Sequence, residues 1–347
     1  MSVVRTLKSV AAATSMICVA VPVLAQEIEL SGIVVTGERI ERSVADTASS
    51  VVVVTAEDLE RRPEDTDLYD VIENVPNVVL PGPDLGPFIR GQGARGPVRG
   101  GGAFFAGVVP RASVVFDGRM ISYNELIYGT SSIWDVETIE VFRGPQTTAQ
   151  GANAIAGAIH VKTKDPTFAP EVAALAQISS FEGRRLAAVA SGPLIANQLA
   201  ARLAVEFNQQ ENFVRFSNPS FGLGDGAELD HKLKNARLKF LWRPSAIPGL
   251  ESKTTLTQVR TNSPQTNEVT EVNVDLDDRT DEINASRSVF DNRVKAIIND
   301  TKYRLSPAVT FFNQVQYSDI LIDRSINPAN LGNARIDATD FANESRV

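Results

Sequence analysis

The residues best suited to chemistry lie between Gly91 and Tyr128. Arg95, Arg99 and Arg111 flank Phe104 and Phe105 on a glycine-rich stretch that includes Gly100, Gly101 and Gly102. Cations beside aromatic rings on such a stretch suit capture of an anionic, partly aromatic small molecule. A second candidate runs from Ser122 to Trp134, an apex loop with Tyr123, Asn124, Glu125 and Tyr128. Tyrosines offer an apolar body with a polar tip for contact. Gly91, Gly93 and Gly96 satisfy G-x-G-x-x-G. A dinucleotide site needs a helix to open across the last glycine, and Pro97 forbids one here. The acids Asp275, Asp277, Asp278, Asp281 and Glu282 lack the spacing and glycine of a calcium loop, so a solvated external loop from Asn262 to Ser286 is expected. His160 and His231 have no ligand pattern beside them, and Cys18 is the sole cysteine. The expected reading is no enzyme, no metal site, no cofactor and, with a formal charge of −8, no nucleic acid.

Residues 1–25 read as a secretory leader. Arg5 and Lys8 form its charged start, Val10 to Leu24 its apolar run and Val23-Leu24-Ala25 its cleavage site. Next comes the β-branched run Ile33-Val34-Val35-Thr36, followed by Gly37. It is too short to fold alone and suited to adding itself to another protein's sheet edge.

From Ser49 a mixed α and β pattern begins. Val51 to Val54 predict a strand, and Thr55 caps a short helix with Glu57 and Asp58 in its first turn. Leu68, Val71, Ile72 and Val75 make an apolar helical stripe, stopped by Asn74 and Pro76. Val114-Val115-Phe116 then Asp117-Gly118 read as strand and turn. Ile139 and Val141 alternate with Glu140 and Phe142 until Arg143-Gly144-Pro145, and Ile159, Val161 and Thr163 form the last strand before Pro166.

After Glu171 the helical stripes vanish. Leu199, Ala201, Leu203, Val205 and Phe207 alternate with Ala200, Arg202, Ala204, Glu206 and Asn208. Ala236, Leu238, Phe240 and Trp242 alternate with Arg237, Lys239, Leu241 and Arg243, and a similar run follows from Val309 to Ser318. Apolar-out, polar-in strands of about ten residues are the outer-membrane barrel pattern, and roughly seven are expected here.

Glu137 to Pro166, with Arg143-Gly144-Pro145 and then Asn153-Ala154-Ile155-Ala156-Gly157, resembles the end of the plug domain of TonB-dependent outer-membrane receptors. Ile89-Arg90-Gly91, the Asn74-Val75-Pro76 helix stop and Asp117-Gly118 fit the same domain. The resemblance implies an α+β plug domain, a mixed small sheet with short helices. Antiparallel transmembrane β-barrel strands follow it, with the barrel incomplete in this chain. The divisions expected are 1–25 leader, 26–48 TonB box and linker, 49–167 plug and 168–347 partial barrel. It implies strand addition by the periplasmic protein TonB at Ile33, Val34, Val35, Thr36 and Gly37. It also implies a plug–barrel latch at Arg90 and Arg143, outer-membrane lipid around the strands, and import of a scarce ligand, by default a ferric siderophore. Arg95, Arg99, Phe104, Phe105, Tyr123 and Tyr128 would meet that ligand. Such barrels close with about 22 strands. A truncated, non-transporting relic or a plug-like TonB-binding module is therefore the alternative expectation.

Overall fold

The computed structural model describes residues 34–35, 42–43, 50–81, 86–94, 110–145, 154–212, 215–216, 230–265, 280–281, 287–327 and 333–347. Two strands near the start, β1 (Val34–Val35) and β2 (Arg42–Ser43), pair antiparallel.

The first half of the chain builds a five-stranded mixed sheet. Its strands are β3 (Val51–Thr55), β7 (Ala112–Phe116), β8 (Arg119–Met120), β9 (Val136–Arg143) and β10 (Gly157–Thr163). They lie in the order β3-β9-β10-β7-β8, with only β10 and β7 parallel. β9 lies between β3 and β10 and is covered on both faces, Ile139 and Val141 by the main core and Phe142 by Ala154 and Ala158, so Ile139, Glu140, Val141 and Phe142 are all buried. A small antiparallel sheet of β4 (Val78–Val79), β5 (Phe88–Ile89) and β6 (Gln92–Gly93) lies beside it.

Among the described residues three short helices are each fixed by a reciprocal cap, in which a side-chain oxygen and the third helical residue satisfy each other's backbone N–H. Helix α1 (Ala56–Glu60) is capped by Thr55 with Asp58, and α2 (Leu68–Glu73) by Asp67 with Asp70. α2 buries Leu68, Val71 and Ile72, as its stripe predicts. Helix α3 (Tyr123–Tyr128) is capped by Ser122 with Glu125 and buries all six of its residues. The expected apex loop at Tyr123 and Tyr128 is thus a packed helix.

Gly157 opens β10 at φ +155°, and a Cβ placed there would lie 2.3 Å from the Phe142 carbonyl oxygen and 3.0 Å from Ile89 Cδ1. Gly157→Ala therefore forces the β9–β10 backbones apart in the plug core. A loss of about 1–3 kcal/mol is expected, read as a lowered urea midpoint.

The second half is one antiparallel meander of eight strands, one more than expected. They are β11 (Glu171–Ser179), β12 (Gly183–Ile195), β13 (Leu199–Gln210), β15 (His231–Trp242), β16 (Leu250–Gln265), β18 (Arg287–Ser306), β19 (Val309–Asn327) and β20 (Ala334–Arg346), each paired with the next. The two-residue strands β14 (Arg215–Phe216) and β17 (Thr280–Asp281) pair with each other. β16 extends to Gln265, into the segment expected to be loop from Asn262, because Asn262, Ser263 and Pro264 face Asp291, Phe290 and Val289 of β18.

The alternation read from the sequence holds. On β13, Ala200, Arg202, Ala204 and Glu206 are buried while Leu203 and Val205 are exposed. Register carries the outward apolar residues across the meander: Leu203, Leu238, Leu256, Ile297, Tyr317 and Phe341 are successive cross-strand partners. Exposed apolar side chains in one unbroken row suit a lipid face. The opposite face receives the mixed sheet, and Phe290, Val294, Ile320 and Ile322 join the same apolar core as Ile127, Ile139 and Ile159.

Candidate functional site: the seam between plug and barrel strands

Side chains on the inner face of the meander grip two loops of the mixed sheet and helix α3. The first grip lies where the chain enters β9. Asp135 adopts a left-handed backbone, φ +61°, which turns its buried carboxylate toward β13. Arg202 forks onto it, with Nε donating to Oδ2 at 2.8 Å and Nη2 donating to Oδ1. The same guanidinium donates to Glu171 at 2.8 and 3.0 Å. Arg237 of β15 donates to Trp134 O at 2.9 Å and stands 3.7 Å from the Asp135 carboxylate. Trp134 Nε1 donates to Ala188 O at 3.2 Å. Ser132 donates to the buried Glu206 carboxylate, which Arg185 also holds at 2.6 Å.

The second grip centres on Lys239 of β15. Its Nζ lies 2.9 Å from Thr163 O, 3.2 Å from Asp117 Oδ1 and 3.5 Å from Asp165 Oδ1. Lys253 of β16 adds a 3.0 Å bond to Asp165 Oδ2. Asp117 takes the tight turn after β7 with Gly118, both at positive φ, and accepts from Thr163 N and Oγ1. Burial pushes the Asp117 carboxyl up, but Lys239, Arg237 and the two Thr163 bonds outweigh it, so it sits below the ordinary carboxylate range. Asp165 is likewise lowered, burial being outweighed by Lys253, Lys239 and Lys162.

The third grip is aromatic. Tyr128 stacks on Phe290 with ring centroids 4.1 Å apart and planes 6° from parallel, and Asn292 Nδ2 donates to Tyr128 O at 2.8 Å. Tyr123 meets Tyr128 edge-on. Of the two tyrosines expected at a ligand, Tyr128 thus sits against Phe290 of β18 and Tyr123 packs on Tyr128.

The other sequence candidates fall elsewhere. Arg143 donates to Pro76 O at 3.1 Å within the plug, and Arg90 is exposed at φ +50°. Among the described residues neither meets a carboxylate of the meander; the ion pairs across the seam run the other way, plug acids to strand cations. Arg95, Arg99, Phe104 and Phe105 lie outside the described residues, as do Ile33, Thr36 and Gly37 of the expected TonB box. His160 packs edge-on against Phe142.

A small mixed sheet packed on the inner face of an up-and-down meander, with apolar side chains turned outward, is the arrangement of a plug against part of a β-barrel wall. Residues 43–158 match the family model described as the TonB-dependent Receptor Plug Domain. Residues 43–158 are thus similar to the plug domain of TonB-dependent receptors, and eight antiparallel strands follow them. The fold of the chain is similar to three solved structures. The ferric yersiniabactin uptake receptor FyuA from Yersinia pestis has a TM-score of 0.64 at 19% identity, covering 82% of this chain and 42% of that one. The ferric-catecholate import receptor Fiu from E. coli K12 has 0.62 at 16%, covering 90% and 47%. The siderophore receptor PiuA from Acinetobacter baumannii has 0.62 at 18%, covering 89% and 43%. The chain thus spans less than half the length of each.

Proposed function

We propose that the chain serves the import of a ferric chelate across the outer membrane, driven by TonB. The observation that carries this reading is the seam: a plug held inside the sheet by ion pairs and hydrogen bonds rather than by apolar packing alone. Polar latches can exchange their partners for water when the plug moves, whereas a wholly apolar seam would resist hydration. The ferric-siderophore class rests on the solved receptors of the same fold. Arg95, Arg99, Phe104 and Phe105 supply cations and rings for an anionic chelate, and Tyr123 and Tyr128 line the way beneath once α3 shifts. Arg90 and Arg143 latch the plug to barrel carboxylates outside the described residues. TonB adds a strand at Ile33 to Gly37, displacing the β1–β2 pairing.

The test separates binding from transport in cells that express the receptor. Val35→Pro removes a backbone donor from the segment that would pair with TonB. Uptake of radiolabelled ferric chelate is expected to fall to the level of a strain lacking TonB, while chelate binding to the cell surface stays unchanged. Undiminished uptake by Val35→Pro would overturn the assignment of the TonB-binding segment. Absence of saturable binding for hydroxamate, catecholate and phenolate chelates alike would overturn the ligand class.

A further inference from the structure

The outward face of the meander changes character along the strands. On β15, Leu238 belongs to the apolar row, Trp242 lies four residues toward one end and Lys234 four toward the other. Four residues of strand are about 14 Å, or roughly 10 Å along the axis of a barrel whose strands tilt by about 40°. The apolar band of an outer-membrane barrel is about 25 Å tall, so Trp242 and Lys234 fall near its two rims. The Trp242 rim carries the turns at 196–198, 243–249 and 307–308, whereas the Lys234 rim carries 180–182, 328–333 and the two longest connections, 211–230 and 266–286. Short turns face the periplasm and long loops the exterior. Lys234 is therefore at the outer rim.

Three cations stand side by side at that rim. Lys234 pairs in register with Arg260, and Arg260 with Arg293, on the adjacent strands β15, β16 and β18. Like charges directly opposite one another destabilise a sheet. One carboxylate offsets two of them: Asp291 accepts from Arg260 and from Arg293, each at 2.8 Å. Among the described residues Lys234 has no carboxylate within ion-pair distance, and its ammonium lies 5.8 Å from the Phe207 ring centre. Lys232 lies beyond Lys234, 3.9 Å from Asp230. These side chains line an open cleft of about 430 Å³, with Phe207 on its floor toward the apolar band and Asp323, held by Arg335 at 2.6 Å, at its far side.

We propose that this cleft binds the phosphate-bearing headgroup of a lipid in the outer leaflet. Asp291 takes the Nε and Nη2 donors of Arg260, so a phosphate between Lys234, Arg260 and Lys232 meets the two ammonium groups and the remaining Nη1 of Arg260, and relieves the repulsion that the register imposes. The acyl chains would run down from Phe207 over Val205, Leu203 and the rest of the apolar row. The inference rests on reading the meander as outer-membrane strands.

The experiment has an arm for each claim. The full chain is reconstituted in phosphatidylcholine vesicles and floated on a density gradient; failure to float would overturn the membrane reading itself. Native mass spectrometry from micelles then compares a bisphosphorylated glucosamine lipid with its dephosphorylated form. The phosphorylated lipid is expected to be retained, and the double variant Lys234→Gln/Arg260→Gln to bind it about tenfold or more weakly. Arg243→Gln, at the opposite rim, should leave retention unchanged. Equal retention of the two lipids, or no loss in the double variant while its β circular dichroism is intact, overturns the site. Displacement of the lipid by equimolar inorganic phosphate would reassign it to free anions.

Discussion

Replacing Arg202 with methionine is expected to destabilise the seated plug by about 3–5 kcal/mol, because it strands a buried carboxylate without its partner. Asp135 and Arg202 are each 2% exposed at their side chains, and the guanidinium also binds Glu171. Arg237, 3.7 Å from Asp135, covers only part of that loss. The double variant Asp135→Asn/Arg202→Met should recover most of the stability, since removing both members of a buried pair is far less harmful than removing one. Trp134, adjacent to Asp135, is one of the chain's two tryptophans. In a Trp242→Phe background its fluorescence reports plug release during urea unfolding in micelles. An Arg202→Met midpoint within error of wild type, or a double variant no better than the single, would remove Asp135–Arg202 from the latch.

The inner cations of that latch were legible in the sequence as a class but not as partners. Alternation alone places Arg202, Glu206, Arg237 and Lys239 on the polar face of their strands, and burial confirms it. What alternation lacks is the other side of each contact. Asp135 and Arg202 are 67 residues apart, Lys239 and Asp165 74, and nothing local in either segment encodes the meeting. The positive φ at Asp135 and Asp117 aims the two carboxylates at the sheet. A lone aspartate before a strand is too common a turn residue to announce that role. Helix α3 is different, because its signal was present. Ser122-Tyr123-Asn124-Glu125 is a capping box ahead of Leu126-Ile127, and the structure shows both reciprocal bonds. A loop reading of this segment passes over that box, and the capped helix carries Tyr123 and Tyr128 into buried positions.

Substituting Lys239 by methionine should give the second large effect, and its pH dependence identifies the cause. At neutral pH the variant leaves Asp117 ionised and buried with only Arg237 and Thr163 to hold it, and Asp165 with Lys253 and Lys162. A loss of about 3 kcal/mol or more is expected there. In the wild-type protein both carboxyls titrate below their ordinary value of 3.8. A depressed carboxylate contributes stability that is full above its unfolded pKa and is lost as pH falls through its folded one. The wild-type protein therefore gives up this contribution only below about pH 4. Without Lys239 the Asp117 pKa moves upward, because burial then faces weaker opposition. The difference between variant and wild type should accordingly be flat from neutral pH down to the variant's new pKa and narrow below it, as protonated Asp117 no longer needs a cation. Urea midpoints from pH 7 to pH 3 measure this directly. A deficit that stays constant through acid pH would mean that Lys239 acts through its bond to Thr163 O and its packing, and the ion pair to Asp117 would lose its place in the latch.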